Sequence, residues 1–285
     1  MYLLLGEPNL HVVEAFRAAV EERGQSLALL KDFDEKPHFT WQFNNGDSLS
    51  RLSIRGQKID VRQIRGVLVQ NPPRLDLEKS HGLEAEYAKA ESSAILFAWF
   101  WSLSCPVINR YPAQYWFPPR ISLPFWERLI RASGLKTATA ILSNVEPELQ
   151  KFAASVGRGT CYSPLCDSEV YRVSTKQDWK ELAKMAEICP VNLTRFVAPR
   201  YVACVVANKV FWNRRVTDAM LECELPLVRL TQASELDFME FHFTADDELY
   251  VHWVEPFPKL DDFDNKARSL IAAALVDRLD SALQS

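Results

Sequence analysis

The chain has 285 residues, 48% hydrophobic and 25% charged, with a net charge of −4. That is a globular composition with ample core, and it excludes a bulk field that would attract nucleic acid. Glycine is scarce at nine residues, and neither a Walker A sequence nor G-x-G-x-x-G occurs, which excludes the usual glycine-rich phosphate loops.

The opening MYLLLGEPNLHVVEAF has an apolar run of four residues with no basic stretch before it, so it does not read as a secretory leader. YLLL (2–5) reads as a strand broken by Gly6-Glu7-Pro8-Asn9. HVVEAFRAAVEERG then reads as a helix, with Val12, Val13, Phe16 and Val20 on one face and Gly24 as its stop. SLALL follows as a strand, and this β-α-β opening predicts a parallel, Rossmann-like sheet. Residues 38–64 alternate (HFTWQF, SRLSI, KIDVRQI) between polar turns, which predicts an antiparallel excursion. GVLVQ (66–70) reads as a buried central strand, 83–103 as a long helix and CPVINR as a short strand. The apolar part of that helix, from Ala94, is too short to span a bilayer.

Prolines 112, 118, 119 and 124 mark a boundary near 110. PFWERLIRASGL reads as a helix, ATAILS as a strand and EPELQKFAASVG as a helix. GTCYSPLC and EVYRVS read as strands, KQDWKELAKMAEI as a helix, and CPVNLTRFV and YVACVVANKVFWNRR as strands with a turn at Ala207-Asn208. MEFHFTADDELYVHWVEPF reads as a hairpin, and DNKARSLIAAALVDRLDSAL as a terminal helix. The expected organisation is three lobes: 1–110 Rossmann-like, 111–187 small α+β, and 188–285 antiparallel with a terminal helix.

Six cysteines, at 105, 161, 166, 189, 204 and 223, carry no second pair or nearby histidine that would make Cys161 and Cys166 a zinc site. Buried free thiols in a reducing, cytoplasmic setting are expected. The tracts FAWFW (97–101) and QYWFPP (114–119) read either as packing between lobes or as an aromatic patch for a partner. Arg195, Arg200, Lys209, Arg214 and Arg215 read as one sheet face, solvated or gripping an acidic segment.

In this order the segments resemble the ATP-grasp superfamily, in particular the branch of graspetide synthetases and of ligases that add glutamate to a ribosomal protein. ASGLKTATAILSN resembles that branch's aGlptPrTlvt, CYSPLCDS resembles vyKPl-s-g, and CPVNLTRFVAPRYVACVVANKVFW resembles pvlvQeyvpg-DvRvyvvGdrvfa. FMEFHFTADDELYVHWVEPFP resembles giDfrftpdGeyvflEvNPnP, and EAEYAKAESSAILFAWFWSLSCPVINRY resembles the end of the N-terminal lobe. The resemblance implies a pre-ATP-grasp lobe and two grasp lobes, with ATP between them, lysines on the phosphates and Mg²⁺ on carboxylates.

Position by position, the first phosphate lysine falls on Ser163, and its small loop on Cys166-Asp167-Ser168-Glu169, which has no glycine. The adenine-reading hinge falls on Leu193-Thr194-Arg195-Phe196. The aspartate and arginine of D-v-R-v fall on Arg200 and Val202, and the lysine of the aGl helix on Leu123. The penultimate-strand aspartate falls on Glu240, and the E and N of E-v-N-P on Trp253 and Glu255. The span between ELPLVRL and DFMEF looks short of the helix usual there.

Two readings follow. In one, Trp253 fills the former nucleotide cleft, sharing a face with Val251, Phe241 and Phe243, while Glu240 and His242 lie on the other face. The protein is then a degenerate relative with no cofactor, serving as a binding or scaffold subunit beside an active enzyme or a peptide. In the other, Glu240 and Glu255 hold Mg²⁺, arginines replace the lysines, and the chain is an ATP-dependent ligase. His242 and His252 read as strand histidines and not as ligands.

Overall fold

The computed structural model describes residues 1–30, 38–44, 47–54, 57–71, 83–112, 123–165, 170–196, 200–245 and 248–282. Strand β1 (Tyr2–Leu5), helix α1 (His11–Glu22) and strand β2 (Leu27–Leu30) form the expected parallel opening. Val12, Val13, Phe16, Ala19 and Val20 make the buried stripe of α1, and Gly24 (φ 65°) ends it in the left-handed conformation glycine tolerates. Strands β3 (His38–Asn44), β4 (Asp47–Ile54) and β5 (Gln57–Asp60) form a separate antiparallel sheet. Strand β6 (Gly66–Val69), helix α2 (Leu83–Ser102) and strand β7 (Val107–Ile108) complete a parallel sheet of order β2-β1-β6-β7. A Cβ at Gly66 would meet the side chains of Leu279 and Tyr2 at 3.2 and 3.3 Å, so glycine lets the C-terminal helix approach β6.

Helix α3 (Leu123–Ala132) leads into strand β8 (Ala140–Ser143), helix α4 (Glu146–Val156), strands β9 (Thr160–Tyr162) and β10 (Tyr171–Arg172), helix α5 (Lys176–Ile188) and strand β11 (Val191–Arg195). The sheet order is β10-β9-β11-β8. Thr175 and Asp178 form a reciprocal capping box at the start of α5. Leu149, Leu182, Ala186, Val191 and Leu193 form a small core of their own. Because β11 bonds to β8 and β9, this sheet runs to Arg195, beyond the limit of 187 expected for the small lobe. At the other end, α3 buries Trp126 and Ile130 in a different core, shared with the N- and C-terminal sheets.

Strands β12 (Arg200–Val206) and β13 (Lys209–Trp212), helix α6 (Asp218–Ala233), strands β14 (Phe238–Ala245) and β15 (Leu249–Glu255) and helix α7 (Asn265–Ser281) complete the chain. The antiparallel order is β13-β12-β14-β15. Helix α6 corrects the expectation of a span too short for a helix. ELPLVRL lies inside it, Pro226 included, and Met220, Leu227 and Leu230 anchor it in the core.

The parallel and antiparallel sheets share two cores. One takes α2, α3 and α6. The other is built on α1 and α7. Asn109 (φ 57°, 0% exposed) pins the two sheets together. Its Nδ2 donates to the Phe238 carbonyl (2.7 Å) and the Tyr111 hydroxyl (3.0 Å), and its Oδ1 accepts from the amides of Asp237 (3.0 Å) and Phe238 (2.9 Å). Among the described residues no helix is long and apolar enough to cross a membrane.

Candidate functional site

Glu240, His242, Trp253 and Glu255 lie on β14 and β15 beside the Pro256-Phe257-Pro258 turn, which is held by Gln70 and Tyr111 from beyond the C-terminal ends of β6 and β7. Glu240 sits directly opposite Glu255, and His242 opposite Trp253. The register then shifts: Phe243 faces Val251, which leaves His252 as the extra residue of a β-bulge. The bulge corrects the expected faces. Val251 stays with Phe241 and Phe243 in the apolar core, but Trp253 crosses to the face of Glu240, His242 and Glu255. It is 5% exposed there, and its Nε1–H has no hydrogen-bond partner among the described residues.

Both carboxylates are engaged by the turn. A Glu240 oxygen accepts from the amides of Lys259 (2.6 Å) and Leu260 (3.3 Å), and a Glu255 oxygen from the amide of Phe257 (3.0 Å). The other side of the turn is held from the N-terminal segment. Gln70 Nε2 donates to the carbonyls of Phe257 (3.4 Å) and Pro258 (3.3 Å), and the Tyr111 hydroxyl donates to Pro256 (2.6 Å). The Val12 amide at the start of α1 donates to the Lys259 carbonyl at 3.2 Å. Burial dominates the proton affinity of Glu240 and, with Glu255 and Asp262 nearby, pushes its pKa up to about 8 against the pull of the two amides.

His242 accepts from Arg200 Nε at 3.0 Å, and the Arg200 guanidinium also pairs with Asp262 at 3.0 Å. Burial first, then the Arg200 charge, holds the imidazole pKa well below its ordinary value, so it is neutral. Val202, fully buried, lies opposite His242 on β12.

Ser163, Thr194 and Arg195, which the resemblance assigns to phosphate and nucleotide, lie on or beside the small-lobe sheet. Ser163 is 2% exposed. Its amide donates to the Asn192 carbonyl (3.1 Å), and Asn192 Nδ2 returns a bond to the Ser163 carbonyl (3.0 Å). Thr194 is fully buried on the face away from α4 and α5, in register with Ala140 and Cys161, and its hydroxyl has no hydrogen bond among the described residues. Arg195 is exposed, with its amide bonded to the Thr139 carbonyl. Leu123 opens α3. Cys166-Asp167-Ser168-Glu169 and the tract 114–119 lie outside the described residues.

The expected basic cluster divides. Arg214 lies over the Tyr201 ring at 5.5 Å, near the Arg200 end of β12, with Arg215 exposed beside it. Lys209 is at the other end of the hairpin, 3.9 Å from Asp277. The tract 97–101 also divides, with Trp99 and Phe100 in the core and Trp101 48% exposed. Among the described residues no three His, Cys, Asp or Glu side chains are grouped to hold a metal ion. Burial raises the thiols of Cys105, Cys161, Cys204 and Cys223. Asp262, Gln70, Tyr111 and Asn109 were not singled out by the sequence. Only Asn109, in CPVINR after a short strand, carried a signal, because Asn adopts positive φ readily.

This arrangement of a parallel lobe, a small antiparallel lobe and a hairpin-turn-helix is the ATP-grasp fold. The macrocyclase MdnC bound with precursor peptide MdnA, from Microcystis aeruginosa MRC, is similar over 99% of this chain and 100% of its own, at 14% identity and a TM-score of 0.74. The Chryseobacterium gregarium RiPP-associated ATP-grasp ligase, in complex with ADP and a leader and core peptide, is similar over 99% and 97%, at 14% identity and 0.74. The ATP-grasp ligase PsnB, complexed with a phosphomimetic variant of its minimal precursor, Mg and ADP, is similar over 99% and 98%, at 18% identity and 0.75. No protein-family model matches the sequence, and no curated protein is significantly similar to it.

Proposed function

We propose that this chain is a catalytically degenerate ATP-grasp-fold protein, a binding or scaffold subunit that works with an active enzyme or a peptide in peptide modification or biosynthesis. The observation that carries this reading is Trp253. An indole stands at the position that the resemblance gives to the main metal glutamate, and it is buried on the same sheet face as Glu240 and Glu255. Mg-ATP asks for cations against its phosphates and for ionised carboxylates with free lone pairs. Position 163 supplies a buried serine, and both glutamates already accept hydrogen bonds from amides of the turn. These residues do not fit Mg-ATP.

Calorimetric titration with Mg-ATP and Mg-ADP tests the reading. Silence is expected. Micromolar binding, or Mg-ATP-dependent ADP release with any peptide substrate, would sink it.

The alternative is an active ATP- and Mg-dependent carboxylate-amine or peptide ligase with a rearranged site. The direct pairing of Glu240 with Glu255 favours it, as does the presence of ADP and peptide in the similar structures. Arg195, Arg200, Arg214 or Arg215 would then serve as phosphate cations. Unchanged nucleotide affinity in a Glu240→Ala protein would count against it.

A further inference from the structure

The outer edge of β8 is only partly paired. The Arg195 amide donates to the Thr139 carbonyl at 2.8 Å, and the register sets Ile141 opposite Leu193 and Ser143 opposite Val191. Backbone direction alternates along an antiparallel strand. Thr139, Ile141 and Ser143 therefore point to β11, and Ala138, Ala140 and Leu142 point away from it. β11 keeps the matching alternation, since its Asn192 carbonyl and the Phe196 amide bond toward β9, to Ser163 and Gly159. The outward edge begins paired. The Ala138 amide donates to the Val251 carbonyl (3.0 Å) and the Val251 amide to the Lys136 carbonyl (2.7 Å), a parallel bridge to β15. Beyond that bridge the N–H and C=O groups of Ala140 and Leu142 have no hydrogen-bond partner among the described residues. Ala140 is exposed and Leu142 is 46% exposed, so the edge is open to solvent.

Open strand edges are normally guarded by a charge, a proline, a bulge or shortness. β13 carries Lys209 and β10 carries Arg172. β7 is two residues long and follows Pro106. β2 is uncharged, but none of its residues is exposed. Residues 137–144 (TATAILSN) hold neither a charge nor a proline. Of these edges β8 alone is both exposed and unguarded.

We propose that this edge is a docking site for an extended peptide segment, which joins the small-lobe sheet as a strand beside β8. The outward backbone groups of Ala140 and Leu142 hold it. The edge also sets the chemistry of the ligand. Side chains of an added strand alternate between the two faces of the sheet. On one face they lie beside Leu142, and on the other beside Ile141, which packs against the small-lobe core. The segment that fits is uncharged and rich in apolar and β-branched residues. The site rests on the peptide-binding part of the reading above and not on the closure of the cleft, because Glu240, Trp253 and Glu255 take no part in it.

Amide hydrogen exchange, followed by NMR on the full chain, tests the geometry and the binding together. In the free protein the amides of Ala140 and Leu142 should exchange fast while those of Ile141 and Ser143 are protected. Binders are then selected on the full chain from a random-peptide phage library, and the enriched sequence is synthesised as the probe. The probe should protect Ala140 and Leu142. Leu142→Pro removes an outward N–H and no bond to β11, a position where an edge strand tolerates proline, and should weaken binding about tenfold. Leu142→Thr keeps the N–H and should retain most of the affinity. Far-UV circular dichroism and the thermal midpoint check that both variants fold, and Ala140→Pro is the second variant if Leu142→Pro does not. The Mg-ATP titration reads the cleft and peptide protection reads β8, so failure of either claim is seen apart from the other. A library that yields no binder, a probe that leaves Ala140 and Leu142 exchanging as before, or equal affinity for Leu142→Pro would each overturn the proposal. So would a free protein in which both amides are already protected and Leu142→Pro dissolves a dimer, which would assign the edge to a second copy.

Discussion

The two faces of the β13-β12-β14-β15 sheet follow different rules. On one, Ala203, Val205, Met239, Phe241, Phe243, Val251 and Val254 are all apolar and all buried in the core shared with α3 and α6. On the other, Val206, Cys204 and Phe238 pack against α1 and α7, and the character then changes within two residues to Glu240, His242, Arg200 and Glu255. The first face answers to packing alone. The second keeps a polar network at 3–6% exposure for Glu240, His242 and Glu255. Such burial is costly unless each group finds a partner, and here the partners come from the turn, Arg200 and Asp262. A fold that needed only stability would fill this end with hydrocarbon. This polar end is where the proposed site lies, and the bulge turns Trp253 into it.

The largest expected effect comes from breaking the apolar face. Phe241→Ala leaves a void among fully buried side chains and should cost about 3–5 kcal/mol in chemical denaturation. A cost below about 1 kcal/mol would mean that this face is not the rigid side of the sheet.

Next in size is the buried carboxyl. A pKa of about 8 in the folded chain, against the ordinary carboxylate value when unfolded, means that the native state holds a proton the unfolded state has released. Stability is then full below the unfolded pKa and falls as pH rises toward 8, by roughly a few kcal/mol at most. Glu240→Gln keeps an acceptor for the Lys259 and Leu260 amides and has no proton to lose. In chelator-containing buffer its stability should not fall between about pH 5 and pH 8, rising instead as the unfolded counterpart of the neutral, buried His242 loses its proton, while the native protein declines relative to it. Parallel pH profiles of the two proteins would remove Glu240 as the titrating group.

Periodicity made much of this architecture legible. The stripe of α1 and the uninterrupted hydrophobicity of β6 each reflect a burial pattern that the backbone period dictates, and alternation marked β3 to β5 as strands. Helix α6 escaped because Pro226 reads as a breaker, whereas the packing of Met220, Leu227 and Leu230 outweighs its local cost. The bulge at His252 escaped for a different reason. Alternation assumes a register, and one extra residue reverses every face beyond it without altering composition. The clasp of Arg200, His242 and Asp262 joins three strand and turn positions far apart in sequence, and no local pattern encodes it. Alternation and the turn residues showed the hairpin that carries Glu240, Trp253 and Glu255, but the faces needed the register.

The smallest expected effect probes Trp253 itself. Its indole N–H is buried and without a partner among the described residues, so Trp253→Phe gives up no hydrogen bond there and relieves an unsatisfied donor. What it loses is volume, and a void of a few tens of Å³ costs about 1 kcal/mol at the usual rate for core cavities. The two contributions oppose one another, so the change in the denaturation midpoint should be slight, well below that of Phe241→Ala. Mg-ATP titration should also stay silent, because a phenyl ring restores neither a carboxylate at 253 nor a cation at 163. A loss as large as that of Phe241→Ala would show that the indole N–H holds a bond, and that the polar face is more fully satisfied than its geometry implies. Nucleotide binding gained by Trp253→Phe would show that bulk alone closes the cleft, and that the phosphate-binding groups survive elsewhere in it.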